Sequence, residues 1–204
     1  MRDALRAGIA IYNDGYYHAA HDAWEARWLA LESDTDDERL LHGLIQYTGA
    51  VYHARDRNWA GAVGLAESAL EYLAGLPDAY RGVRLAPARA YLEVLAADPA
   101  MIERRKPEPI GYEDEVPRLA DLEVTETAIA AGVLAEEFGY DPTPVETAGE
   151  YALADLEAGR DDSRFVTLLF DFVREDDDRG IVYDRLSGHV DRRRAKEEDV
   201  SGLF

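Results

Sequence analysis

RLLHGLIQYTGAVYHAR, residues 39–55, is the stretch on which the fold turns. Its apolar residues recur at three- and four-residue spacing, the period of a helix. Leu41, Leu44, Ile45, Val51 and Tyr52 cover most of the circumference. A helix that is apolar nearly all round belongs at the centre of a fold. What remains is one polar and small-residue stripe: His42, Gln46, Gly49, Ala50 and His53.

Reading outward, the same helical period continues. Upstream, SDTDDE (33–38) is a loop whose Thr35 and Glu38 form a capping-box pattern. YYHAAHDAWEARWLALE (16–32) is a helix, and DALRAGIAIY (3–12) is another that stops at the turn signal NDG (13–15). Downstream, DRN (56–58) is a turn between helices, followed by WAGAVGLAESALEYLAGL (59–76) and APARAYLEVLAAD (86–98). The texture then changes. Residues 98–117, DPAMIERRKPEPIGYEDEVP, hold four of the chain's eight prolines and an acidic cluster, so helix cannot continue there. This is a linker or a surface strap, and Ile110 and Tyr112 are apolar anchors able to pin it. Four more helical patterns follow, over 118–140, 141–159, 161–175 and 178–194. Thr143 with Glu146 reads as a capping box, with Pro144 at the first helical position. Alternating β-branched runs are few. The expectation is an all-α protein, a multihelical array of antiparallel helix hairpins. It divides into a helical domain over 1–97, a Pro-rich acidic linker or strap over 98–117, and a C-terminal four-helix unit over 118–204.

Composition bounds the setting. The chain has 204 residues, 47% of them hydrophobic, enough to bury a core. With no cysteine, disulfides, zinc–thiolate sites and thiol catalysis are excluded. No apolar run reaches the roughly 18 residues of a membrane span, and the N-terminus has no secretory pattern. The net charge is −20, and only Lys106 and Lys196 of the 22 basic residues are lysine. Strongly hydrated carboxylates with almost no lysine suit a protein that folds in molar salt, where self-repulsion is screened. The expected setting is the cytoplasm of a halophile; a mesophilic acidic protein is the alternative. So acidic a chain is not expected to bind nucleic acid, nor is a membrane partner expected. Oligomeric state is not legible.

The chemistry-bearing residues concentrate in HAAHDAWEARW, residues 18–28. His21, Glu25 and Trp28 stand at i, i+4 and i+7 and share a helix face. A short loop makes this helix the antiparallel neighbour of 39–55. His21 and Glu25 are therefore expected to meet Gln46 and His53 in a buried polar cluster, with His21 itself buried. Three readings stay open. The first is a hydrogen-bond network that fixes helix register. The second is a pocket for a small molecule or a protein, walled by Tyr17, Trp24 and Trp28. The third is a metal-dependent or acid/base hydrolase using His21, Glu25 and His53. No metal and no cofactor are expected, since H-x-x-x-E is a loose pattern. An interaction scaffold is a further alternative. A faint echo of NDGYYHAAHDAWE in DRNWAGAVGLAESAL suggests helix-pair repeats, which would show an apolar groove lined by Trp24, Trp59 or Tyr72. Asp176 to Asp178 with Gly180 lack the twelfth-position acid of a calcium loop.

YNDGYYHAAHDAWEARW also resembles the N-terminal signature of the domain-of-unknown-function family 309, approximately F-N-x-G-x-Y-x-E-A-H-E-x-x-E-x-x-W. Tyr12, Asn13, Gly15, Tyr17, Ala20, His21, Glu25 and Trp28 match it. Gly43, Leu44, Ile45, Gln46, Tyr52, His53, Asn58, Gly61 and Ala62 agree with the family's next motif. The resemblance covers about residues 3–75, extending at most to 97. Two family glutamates are Ala19 and Asp22 here, and His42 replaces the usual glutamine. The resemblance implies an all-helical fold with the second and third helices in contact; it implies no activity.

Overall fold

A computed structural model describes residues 1–174 and 177–201, with side chains through 199. The acidic run at 176–178 thus lies partly outside the described residues. The chain is all-α, and it divides into two compact units, Met1–Asp121 and Leu122–Phe204.

The first unit opens with α1 (Arg2–Asn13), α2 (Tyr17–Leu29), α3 (Asp36–Arg55) and α4 (Trp59–Leu73). α5 (Leu85–Ala97) follows, and each helix packs on the next in sequence. α1 ends where the sequence turns: Gly15 has φ 98°, a conformation that favours glycine. From Leu5 to Tyr12 α1 is buried throughout. Its small residues allow this, for the Trp24 indole of α2 lies directly against Gly8 and donates from Nε1 to the Ala4 carbonyl at 3.0 Å. α3 buries Leu40, Leu41, Leu44, Tyr47 and Val51, as its apolar circumference requires. Each fully buried aliphatic side chain of this seam contributes about 1.5–3 kcal/mol.

Four local features differ from the sequence reading. A hairpin, β1 (Ala79–Tyr80) with β2 (Val83–Arg84), precedes α5; Arg81 and Gly82 both have positive φ, as a tight two-residue turn demands. At α3 only half of the capping box forms. The Glu38 amide donates to Thr35 Oγ1 at 3.2 Å, while the Glu38 carboxylate is drawn away to Trp28 and His42. α7 is capped by Asp141, not Thr143, with Pro142 rather than Pro144 at its first position, because the Asp141 carboxylate reaches the Thr143 amide. The fourth difference is the boundary of the first unit: of the two alternatives for the Pro-rich segment, it takes the strap, packed on the first unit rather than separate from it.

The strap is pinned from two sides. The amide of Asn13 donates to the carbonyls of Ile110 (3.0 Å) and Pro117 (2.9 Å), while its Oδ1 accepts from the Ile110 amide (2.9 Å). Asp14 accepts from the Leu119 amide and pairs with Arg118. On the other side the Arg84 amide donates to Gly111, and Tyr112 bridges to Val83. Between these anchors the hydroxyls of Tyr12 and Tyr47 both donate to the Glu108 carbonyl. Ile110 and Tyr112 are 1% and 3% exposed. The first unit therefore extends past 97 to Asp121, because the side chains of the α1–α2 turn bind the strap's backbone.

The second unit comprises α6 (Val124–Glu137), α7 (Pro142–Glu157), α8 (Arg164–Arg174) and α9 (Arg179–Ser201). α6 starts in a box in which the Glu126 carboxylate accepts from the Glu123 amide. The buried Asp155 of α7 accepts from Ser163 Oγ (2.7 Å) and from Arg193 of α9 (2.7 Å), and pairs also with Arg160. Among the described residues no helix is long and apolar enough to cross a membrane.

Candidate functional site

α2 and α3 run antiparallel, and two ring contacts fix their register. His18 meets Tyr52 edge-on at 5.1 Å, and Trp28 meets His42 at 4.5 Å. One step along α2 is thus matched by one step back along α3. That register sets His53 level with Tyr17 and Gln46 level with Trp24, offset from His21 and Glu25.

The expected buried cluster is accordingly not assembled. His21 is half-exposed, and its Nδ1 lies 2.7 Å from Asp22 on its own helix, not against Gln46 or His53. Asp22 hydrogen-bonded to the ring raises the His21 pKa above its ordinary value; burial opposes this, and the charges of Asp22 and Glu25 add to the rise. His53 Nδ1 lies 2.8 Å from the Asn58 amide, within the α3–α4 turn. Gln46 and Glu25 are half-buried. Tyr17 is half-buried against Tyr12. Trp24 is fully buried, Trp28 and Trp59 are half-buried, and Tyr72 stacks on His42 at 3.7 Å.

The polar junction between the two helices sits one end further along. Glu38 Oε1 accepts from Trp28 Nε1 at 2.8 Å, and His42 Nδ1 is 3.1 Å from the same oxygen. Glu38 and His42 are 14% and 16% exposed. Their i, i+4 spacing was the available signal.

The sequence reading also missed a cleft of about 690 Å³, bounded by the α1–α2 turn, the end of α3 and the strap. Tyr12, Asn13, Gly15 and Tyr17 line one side, four of the motif residues quoted above. Arg55, Arg104, Arg105, Lys106 and Arg118 also line it, against only two carboxylates, Asp14 and Glu103. Arg104, Arg105 and Arg118 are paired to Asp98, Glu108 and Asp14. Arg55 lies over the Tyr17 ring, 5.2 Å from its centroid. Among the described residues neither Arg55 nor Lys106 has a carboxylate partner. The signal was ERRK at 103–106, a cationic run in a lysine-poor chain.

Residues 5–65 match the family model described as Domain of unknown function (DUF309), so the resemblance holds for the N-terminal part. An uncharacterized protein of Aquifex aeolicus (strain VF5) is 30% identical over 91 residues, 45% of this chain. The match spans 27% of that relative's length.

Proposed function

We propose that the first unit is a binding module for a small polyanion, a phosphate- or carboxylate-bearing molecule held in the strap cleft. The observation that carries this is the convergence of five of the chain's 22 basic residues on one cleft, in a protein of net charge −20. An arrangement against the overall charge asks for an anion as its counterpart. Arg55 and Lys106 supply the charge not already neutralised by a neighbour. Guanidinium groups bind phosphate and carboxylate through paired N–H donors, and such charge-assisted bonds are about twice as strong as neutral ones. Tyr17 under Arg55 adds a ring face for a planar ligand.

The lysine-poor composition fits a salt-rich cytoplasm, and that setting sharpens the argument. At molar ionic strength the Debye length falls to about 3 Å, so distant charges no longer steer a ligand. Only cations in direct contact count, which requires several in one place.

The test is calorimetric titration of the intact chain with pyrophosphate and, separately, citrate in concentrated KCl. Saturable binding of at least one is expected, weakened about tenfold or more in the R55A/K106A variant, one charge-assisted contact being worth about 1.5–3 kcal/mol. Failure of both probes to bind, or equal affinity in the variant, would refute the reading.

A further inference from the structure

We propose that the second unit carries a phosphate-binding site of its own, between the start of α8 and α9, built from Arg164, Arg192, Lys196 and His189. It shares no residue with the strap cleft, so each reading can fail without the other.

A hollow of about 350 Å³ lies here, lined by Arg164 and Phe165 of α8 and by His189, Arg192, Arg193 and Lys196 of α9. The four α9 residues stand at i, i+3, i+4 and i+7, one stripe of a helix. Arg164 opens α8, so the hollow also lies at the positive end of a second helix. No carboxylate is among the described residues of the lining, in a chain where 42 acidic residues face 22 basic ones. The cations differ in what they are free to do. Arg193 is engaged by Asp155 at 2.7 Å and by Glu197 at 3.0 Å, and lies over the Phe165 ring. Arg194, the next residue, turns away to Thr147. Arg164, Arg192 and Lys196 are exposed and have no carboxylate partner among the described residues.

His189, half-buried on the same stripe, registers the field of these charges. Burial, and then the charges of Arg192 and Arg164, push its pKa below the ordinary value. Cations gathered on one hollow repel each other, and a bound anion removes that repulsion. Phosphate suits the arrangement better than a single carboxylate. Its oxygens are enough for two guanidinium groups and an ammonium at once, and guanidinium meets it through paired N–H donors. The hollow is at the small end of ligand pockets, which span about 300–1,000 Å³. It therefore suits the phosphate ion or the phosphoryl group of a small monoester.

His189 is also the reporter. It is the one of the chain's five histidines that lies outside the first unit, and H189Q assigns its Hε1 resonance. The intact chain is titrated at constant pH with potassium phosphate and, separately, with phenyl phosphate, in concentrated KCl, and followed by proton NMR. Saturable movement of that resonance is expected with at least one probe. At saturation the titration midpoint of His189 should rise, since the anion offsets Arg192 and Arg164. Tighter binding of phenyl phosphate would identify a monoester as the occupant; tighter or equal binding of phosphate would identify the free ion. R192Q/K196Q should weaken binding about tenfold or more, while R194Q should leave it unchanged. If R192Q/K196Q does not fold, as judged by circular dichroism, R164Q decides. Absence of saturable movement with both probes would overturn the proposal. So would wild-type affinity in the deciding variant, or an equal loss in R194Q.

Discussion

Asn13→Ala isolates the anchoring of the strap. The substitution removes two donations, to Ile110 and Pro117, and one acceptance from the Ile110 amide. Each such bond contributes about 0.5–1.5 kcal/mol net, and a buried group left unsatisfied costs about 1–3 kcal/mol. Ile110 is 1% exposed, so water cannot readily replace the lost partner of its amide. Together these give a loss of about 2–4 kcal/mol in the free energy that holds the strap down. The assay is native-state trypsin cleavage. Arg104 and Arg105 are exposed on the strap, while Pro107 protects the bond after Lys106. If cleavage requires the strap to open, its rate follows the open population, and about 2–4 kcal/mol corresponds to acceleration of roughly thirty- to several-hundred-fold. Hydrogen exchange at Ile110 should quicken in parallel. Asn13→Asp should be no milder, since it sets a carboxylate against two carbonyls. Cleavage at Arg104 and Arg105 at the wild-type rate in both variants would refute the anchoring argument.

Gly8→Ala should destabilise the first unit by about 1–3 kcal/mol or more through overpacking, because the new Cβ would overlap the Trp24 indole at Nε1. A lowered melting temperature with red-shifted tryptophan emission is expected, and an unchanged melting temperature would contradict the packing. Asp155 titrates below its ordinary value: burial pushes it up, but hydrogen bonds from Ser163, Arg160 and Arg193 outweigh that. Its contribution is therefore complete above the unfolded value near 3.9 and is lost as pH falls through the lower folded value. Urea unfolding between pH 7 and 3 should show a smaller acid-side loss in D155N; parallel profiles would refute it. With a charge of −20, transfer from molar to roughly 0.1 M salt lengthens the Debye length from about 3 to about 10 Å and should lower the melting temperature markedly. A melting temperature unaltered by salt would remove the halophilic reading.

The helices were legible because burial writes itself into spacing: Leu41, Leu44 and Val51 announce a central α3 whatever surrounds it. The hairpin was not, because two-residue strands carry no period and Arg81 at φ 51° is an unusual occupant of a tight turn. The strap was half legible. Its prolines exclude helix, but whether it floats or packs was decided by Asn13, which in sequence is only part of a turn signal. The face shared by His21 and Glu25 follows from helical period alone. Their partners do not, because period fixes position around one helix and says nothing of how two helices are slid along each other. That slide brings Trp28 to His42, while His21 is held by Asp22 of its own helix.

Asn13 and Pro117, joined by a hydrogen bond, lie 104 residues apart in sequence. On the ribosome α1 emerges before the other helices of its unit, yet the backbone it must grip is made only after them. Contacts of such separation are slow to form, since the loop must close before they reward it. At about 5–20 residues per second, α1 waits some 5–20 s for its counterpart. During that interval the early helices can associate in neighbouring pairs, while the tyrosine hydroxyls and Asn13 remain bound to water. Closure of the unit is then a late event that certifies synthesis through residue 121.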